Sequence, residues 1–146
     1  MVDEDDRNIM EVLTEEECWL HLESQHIGRL VVSIAGEPDI FPVNYVVHDH
    51  AVVFLTAEGT KLAGAVLGLS AAFEIDAADP LFHTGWSVIL RGRAEEVEKL
   101  DDIMVMESLP LQPWARGPKR HYVRISGTVT GRRIVVPGTT GTIAEH

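Results

Sequence analysis

A single cysteine, Cys18, excludes any internal disulfide, and no stretch approaches the roughly twenty consecutive apolar residues that a membrane-spanning helix needs. Aromatic residues make up only 6% of the chain, so a core has to be assembled mainly from Val, Ile, Leu and Ala. Positive charge is scarce as well: 12 Lys+Arg against 23 Asp+Glu leave a net charge of −11, which disfavours DNA, RNA and anionic lipid as partners. The opening Met1-Val2-Asp3-Glu4-Asp5-Asp6 lacks the basic-then-apolar order of a secretory signal. With one lone thiol, the cytoplasm is the expected compartment.

What is present fits one globular domain. A chain of 146 residues, 45% of them hydrophobic, removes roughly two-thirds of its unfolded surface from water on folding and needs neither metal nor disulfide to hold a core. The charge is uneven. Residues 1–25 carry nine acids and only Arg7, whereas Arg116, Lys119, Arg120, Arg124, Arg132 and Arg133 lie between Pro113 and Arg133 with no acid among them. Such a local basic patch favours a small anion such as a phosphate, although a solvated strand face explains it as well.

Thr14 followed by Glu17 is a capping box opening a helix over Thr14–Gln25. Cys18 belongs on its apolar face as a small hydrophobe. From Gly28 the pattern turns β-branched, with strands expected at Arg29–Ala35, Ile40–Val47, Ala51–Thr56, Ala71–Asp76, Trp86–Val97 and His121–Val136. Helices are expected at Lys61–Leu67 and Glu98–Glu107, and a loop at Pro110–Pro118. Six strands joined without regular helical crossovers imply an antiparallel barrel, closed or partly closed. The domain runs over 14–136, between an acidic arm at 1–13 and a flexible tail at 137–146.

The strand, Gly-containing turn and helix of Phe54–Leu62 place unpaired N–H groups at a helix start beside the Thr60 hydroxyl and the Lys61 ammonium, the chemistry of a phosphate site. Alone, the segment also reads as an ordinary loop with a solvated lysine. Pro42 cannot donate to a ladder, so its strand belongs at an edge or opening, where neighbouring backbone groups can meet a ligand. Asn44, between apolar neighbours, needs a polar partner, from ligand or from backbone. Trp86 and Trp114 suit stacking on a flat ring, covering a dimer surface, or burial. His48 and His50 have the spacing of a metal-binding arm but flank Asp49 in an expected turn, which argues against a metal. His83 and His121 lie nearer the same region, where a histidine can serve in proton transfer or in structure. No nucleophile elbow is present.

In order and spacing, His26-Ile27-Gly28-Arg29-Leu30, Phe41-Pro42-Val43-Asn44-Tyr45, Thr56 with Gly59-Thr60-Lys61-Leu62, Phe73-Glu74-Ile75-Asp76, Gly85-Trp86-Ser87-Val88 with Gly92, and Pro113-Trp114 resemble the pyridoxamine 5′-phosphate oxidase-like family of flavin-binding split barrels. That resemblance implies a mainly β fold, a six-stranded antiparallel split β-barrel with flanking helices, forming a homodimer with FMN in clefts between protomers. By position it assigns Thr60 and Lys61 to the flavin phosphate, Pro42, Val43 and Asn44 to the isoalloxazine border, and Thr56 to the ribityl chain. It assigns Trp86, Ser87 and Trp114 to completing the cleft, from the second protomer. The arginine- and histidine-bearing C-terminal motif of the vitamin-synthesising oxidases is missing, so pyridoxamine phosphate oxidation itself is not expected. The implied function is an FMN-dependent oxidoreductase acting on a small organic molecule; a deazaflavin enzyme and a flavin-binding module without turnover are the alternatives on the same fold.

Overall fold

The computed structural model describes residues 10–57, 69–111 and 120–135. Its elements are β1 (Met10–Val12), α1 (Glu15–Glu23), β2 (Ile27–Ile34), β3 (Glu37–Asn44), β4 (Val46–Val47), β5 (Val52–Ala57), β6 (Ser70–Asp79), β7 (Thr84–Glu96), α2 (Leu100–Glu107) and β8 (Arg120–Val135). The expected capping box is formed: the Glu17 amide donates to Thr14 Oγ1 at 3.1 Å and the Thr14 amide to Glu17 Oε1 at 3.1 Å. These bonds satisfy two of the donors a helix start leaves without partners. Cys18, Trp19 and Leu22 turn inward from α1.

All pairings are antiparallel, in the order β3-β2-β6-β7-β8-β5-β4, with β1 added alongside β8. The sheet curls far enough that its two ends meet, because β3 packs against β5. Among the described residues those two strands share no ladder. The result is the split barrel the sequence implies. Inside it, Leu30, Val52, Phe54, Phe73, Leu90, Val123 and Ile125 are fully buried, each alternating with an outward neighbour as the pleat requires. A smaller cluster, Val53, Val97 and Met106, seals α2 onto the outside of β5.

Two strand ends differ from the sequence reading. The expected strand Ile40–Val47 is divided at Tyr45, whose amide leaves the strand pairing to donate to the His26 carbonyl at 3.0 Å and whose hydroxyl donates to the Leu22 carbonyl at 2.5 Å. The end of the acidic arm is β structure: Met10–Val12 joins β8, and Arg133 holds Glu11 at 3.0 Å and Glu17 at 3.2 Å. The expected helix at Lys61–Leu67 and the tail at 137–146 lie outside the described residues. No helix among the described residues is long and apolar enough to cross a membrane.

The longest ladder, β7 with β8, runs unbroken from Thr84↔Val135 to Glu96↔Val123. Gly92 and Gly127 face each other in it, and a Cβ on either meets a carbonyl oxygen of the other strand at 2.0 Å. Gly28 has a different neighbour: a Cβ there falls 2.2 Å from Cζ of buried Phe73, a ring set edge-on to Tyr45 at 4.7 Å. Gly28→Ala is therefore expected to destabilise the fold by about 1–3 kcal/mol, as overpacked cores do, with a lowered midpoint in thermal or urea denaturation.

α1 also leans on β7 through His21, whose ring stacks on Trp86 with centroids 4.0 Å apart at 24°. Burial, and then the Arg133 cation, push the His21 imidazole below its ordinary value, with Glu17 opposing. Folding thus favours neutral His21, so this contribution is intact above the unfolded pKa of 6.5 and is lost as the pH falls below it. Charging the imidazole against the indole is expected to change Trp86 fluorescence with a midpoint below 6.5. His21→Asn should abolish that transition; its persistence contradicts the assignment.

A candidate site at the barrel seam

The position of Pro42 decides where the barrel can open. In the β2–β3 ladder Pro42 stands opposite Arg29, Val43 opposite Gly28 and Asn44 opposite Ile27. Proline supplies no N–H, so the far edge of β3 at this point has nothing to donate to another strand. The expected edge placement is what the structure shows. Pro42 is exposed, Asn44 half-buried, and Val43 turns into the core at 6% exposure. Across the seam, the β4–β5 register Val46↔Val53, continued back along the chain, brings β5 alongside this stretch of β3. Thr56 lies near the end of β5, 4% exposed, its hydroxyl donating weakly to the His121 carbonyl at 3.4 Å.

Pro42, Val43, Asn44 and Thr56 therefore occupy one seam. Trp86 and Ser87 do not join them within one protomer. They sit on β7, with β2 and β6 between it and β3 and β8 between it and β5; on β8 the partner of Trp86 is Arg133 while that of Thr56 is His121, far apart along the strand. Trp86 is half-buried against the core and stacked on His21, while Ser87 faces outward between Asp76 and Arg132. Thr60, Lys61 and Trp114 lie outside the described residues. Of the basic patch, Arg133 is engaged by Glu11 and Glu17. His50, from the expected turn, stacks on Trp19 at 5.2 Å.

Two charged pairings were not read from the sequence, although His121 itself was singled out there. Arg29, beside Pro42, donates from Nε to Glu74 Oε1 at 2.8 Å and from Nη2 to Asp76 Oδ2 at 2.8 Å, and its Nη2 also bonds Glu74. Burial raises the Glu74 carboxyl above its ordinary value, its hydrogen bond with Asp76 adds to the rise, and Arg29 opposes both. Register alone makes these residues neighbours: Arg29 stands opposite Glu74, with Asp76 two residues further along β6. The second grouping pairs His121 Nδ1 with Glu96 Oε1 at 2.5 Å.

The pocket beside α1, about 520 Å³, is lined by Glu15, Glu16 and Glu23 with Trp19, Leu20 and His50, and repels an anion. A second trough, about 510 Å³, crosses β2, β6 and β7 and carries Arg91 and Arg93 at its rim, but Arg91 already donates to Thr130 Oγ1 at 3.0 Å. At the seam Pro42 is exposed and has no N–H to donate, and the Ile40 amide is held by Asp39 Oδ1 at 2.9 Å.

The chain is similar in sequence and in fold to several known proteins. A Mycobacterium tuberculosis protein of uncharacterised function is 36% identical over 140 residues, covering 92% of this chain and 91% of its own length. The structure of an FAD-binding protein from Mycobacterium smegmatis superposes with a TM-score of 0.76 at 39% identity, over 85% of this chain and 97% of that one. A protein of unknown function from Corynebacterium diphtheriae gives 0.72 at 33% identity, over 86% and 98%. The family model described as pyridoxamine 5′-phosphate oxidase matches residues 14–140, and with that match and these relatives the chain belongs to the pyridoxamine 5′-phosphate oxidase family.

Proposed function

We propose that the seam between β3 and β5 binds a flavin and that the protein is a flavin-dependent oxidoreductase acting on a small organic molecule. The observation that carries this reading is the packing of β3, which bears Pro42–Asn44, against β5, which bears Thr56, with no ladder between them among the described residues. In it, main-chain groups flanking Pro42 and the Asn44 side chain border the ring, and Thr56 borders the ribityl chain. Thr60 and Lys61, following directly from β5, take the phosphate. The bound flavin supplies hydride or electron transfer, while the chain anchors, orients and shields it.

A second copy of the chain completes the site in this reading. Ile27 and Ile40 flank Pro42 on the outer face at 46% and 60% exposure, and a homodimer contact there covers them. It also allows Trp86 and Ser87, which lie away from the seam within one protomer, and Trp114 to serve the cleft of the other copy.

FMN is the cofactor implied by the resemblance of the phosphate segment. FAD is the second reading, favoured by the Mycobacterium smegmatis relative, which is named as FAD-binding. A deazaflavin, and flavin binding without turnover, are the remaining alternatives on this fold. The isolated protein is expected to show visible flavin absorbance, to release FMN on denaturation by mass, and to be bleached by a nicotinamide donor. Release of FAD or a deazaflavin replaces the cofactor, and stable flavin with no electron acceptor at all replaces the enzyme by a storage module. Lys61→Ala is expected to weaken flavin binding by about 1.5–3 kcal/mol, the range for hydrogen bonds to charged groups. Unchanged affinity in the folded variant removes the phosphate assignment.

A further inference from the structure

β3 is the end strand of the order, laddered on one side to β2 and, among the described residues, to nothing on the other. In an antiparallel pair alternate residues bond the partner strand, and those between them turn their N–H and C=O groups away from it. Two bonds fix the parity here. The Tyr45 amide, in line with the odd positions of β3, donates across to the His26 carbonyl, whereas the Ile40 amide is turned aside and donates to Asp39 Oδ1 at 2.9 Å. Pro38, Ile40, Pro42 and Asn44, opposite Ser33, Val31, Arg29 and Ile27, are therefore the positions that face the free edge. A proline at an odd position would cost a bond to β2; at these even positions it removes a donor from the edge instead. Whatever lies beside β3, the first three outward positions have no amide to give it: Pro38 and Pro42 lack the group, and that of Ile40 is held by the neighbouring carboxylate.

We propose that this edge is closed to strand addition and that Pro38, Asp39 and Pro42 close it, so that a partner, a second copy of this chain included, docks on the side-chain face of the barrel and not by extending its sheet. The need for closure is in the sequence. Ile40, Phe41 and Val43 give β3 the composition of a strand that pairs, and Ile40 is 60% exposed. An exposed edge of that kind is a template for further strands. Against this one, an incoming strand meets carbonyl acceptors without donors at three successive outward positions, and its own carbonyls there are left without partners. Glu37 and Asp39 set like charge against a second β3. The inference is independent of the flavin reading, and it agrees with a second copy that contacts the exposed Ile27 and Ile40 side chains.

The test restores the donors. Pro38→Thr with Pro42→Thr returns two amides, and Asp39→Ala added to that pair frees a third; Asp39→Asn in the same background loses the charge but keeps the Oδ1 acceptor. Each full-length variant is shown to be folded by circular dichroism and thermal melting. It is then followed by sedimentation velocity over a range of concentrations and by the amide I infrared band of intermolecular strands. The wild type is expected to keep a single closed size without that band. The double proline variant is expected to associate further, with an apparent association constant raised about tenfold or more and the band present; Asp39→Ala raises it again and Asp39→Asn does not. Pro38 is exposed, so Pro38→Thr alone carries the same test, with a smaller rise, where the double variant does not fold. Folded variants that sediment as the wild type does, or a wild-type chain that itself grows open strand-bonded assemblies, overturn the inference. Equal association of the Asp39→Asn and Asp39→Ala variants overturns the part given to the Asp39 acceptor. None of these outcomes bears on flavin binding by the wild-type chain, which is read separately.

Discussion

A barrel of six long strands must either zip its last edge to its first or leave a line of backbone groups needing other partners. Here β3, at one end of the order, meets β5, whose edge carries only the short β4, and among the described residues the two share no ladder; Pro42 is one reason, since a residue with no N–H sits where a ladder would have to form. The rest of the structure serves to hold that seam in place. The unbroken β7–β8 ladder, tightened by the facing glycines 92 and 127, forms the rigid back of the barrel, and α1 closes the interior with Cys18, Trp19 and Leu22.

The forces doing the holding and those shaping the site are different in kind. Stability comes from the apolar interior, where Phe54, Phe73, Tyr45 and Leu90 are almost wholly out of water. Each such side chain contributes about 1.5–3 kcal/mol on burial. The ion pairs contribute much less. Arg29 is 40% exposed against Glu74 and Asp76, and Arg133 41% exposed against Glu11 and Glu17, and pairs so open to solvent are typically worth 0–1 kcal/mol each at most, on the order of thermal energy. Their effect is orientation. The Arg29 grouping fixes charge on the outer face beside Pro42, and Arg133 ties β1 and α1 to β8.

How much of this was legible beforehand follows from what each residue type can report. Runs of β-branched and aromatic residues located all six long strands, and Thr14 with Glu17 located α1, because residue preference and capping are local properties. Pro42 announced an edge for the same reason. The break at Tyr45 was hidden, since its cause is a hydroxyl reaching Leu22 and an amide reaching His26, contacts made only after folding. Met10–Val12 looked like part of a solvated acidic arm because three residues carry no period of their own; β8 supplies their partner. The cross-strand groupings Arg29–Glu74–Asp76 and His121–Glu96 depended on register, which a sequence fixes only once the strands are paired. Trp86 was read for a cleft, and the structure gives it His21 as a stacking partner, which no spacing between residues 21 and 86 signals.

The central claim is spatial: the cofactor belongs in the unlatched seam. A crystal structure of the protein grown with FMN tests it most directly. The ring is expected along Pro42–Asn44 with the phosphate at the end of β5, beside Thr56. Density for the flavin in the acidic pocket against α1, or in the trough bearing Arg91 and Arg93, with β3 and β5 unoccupied between them, contradicts the account.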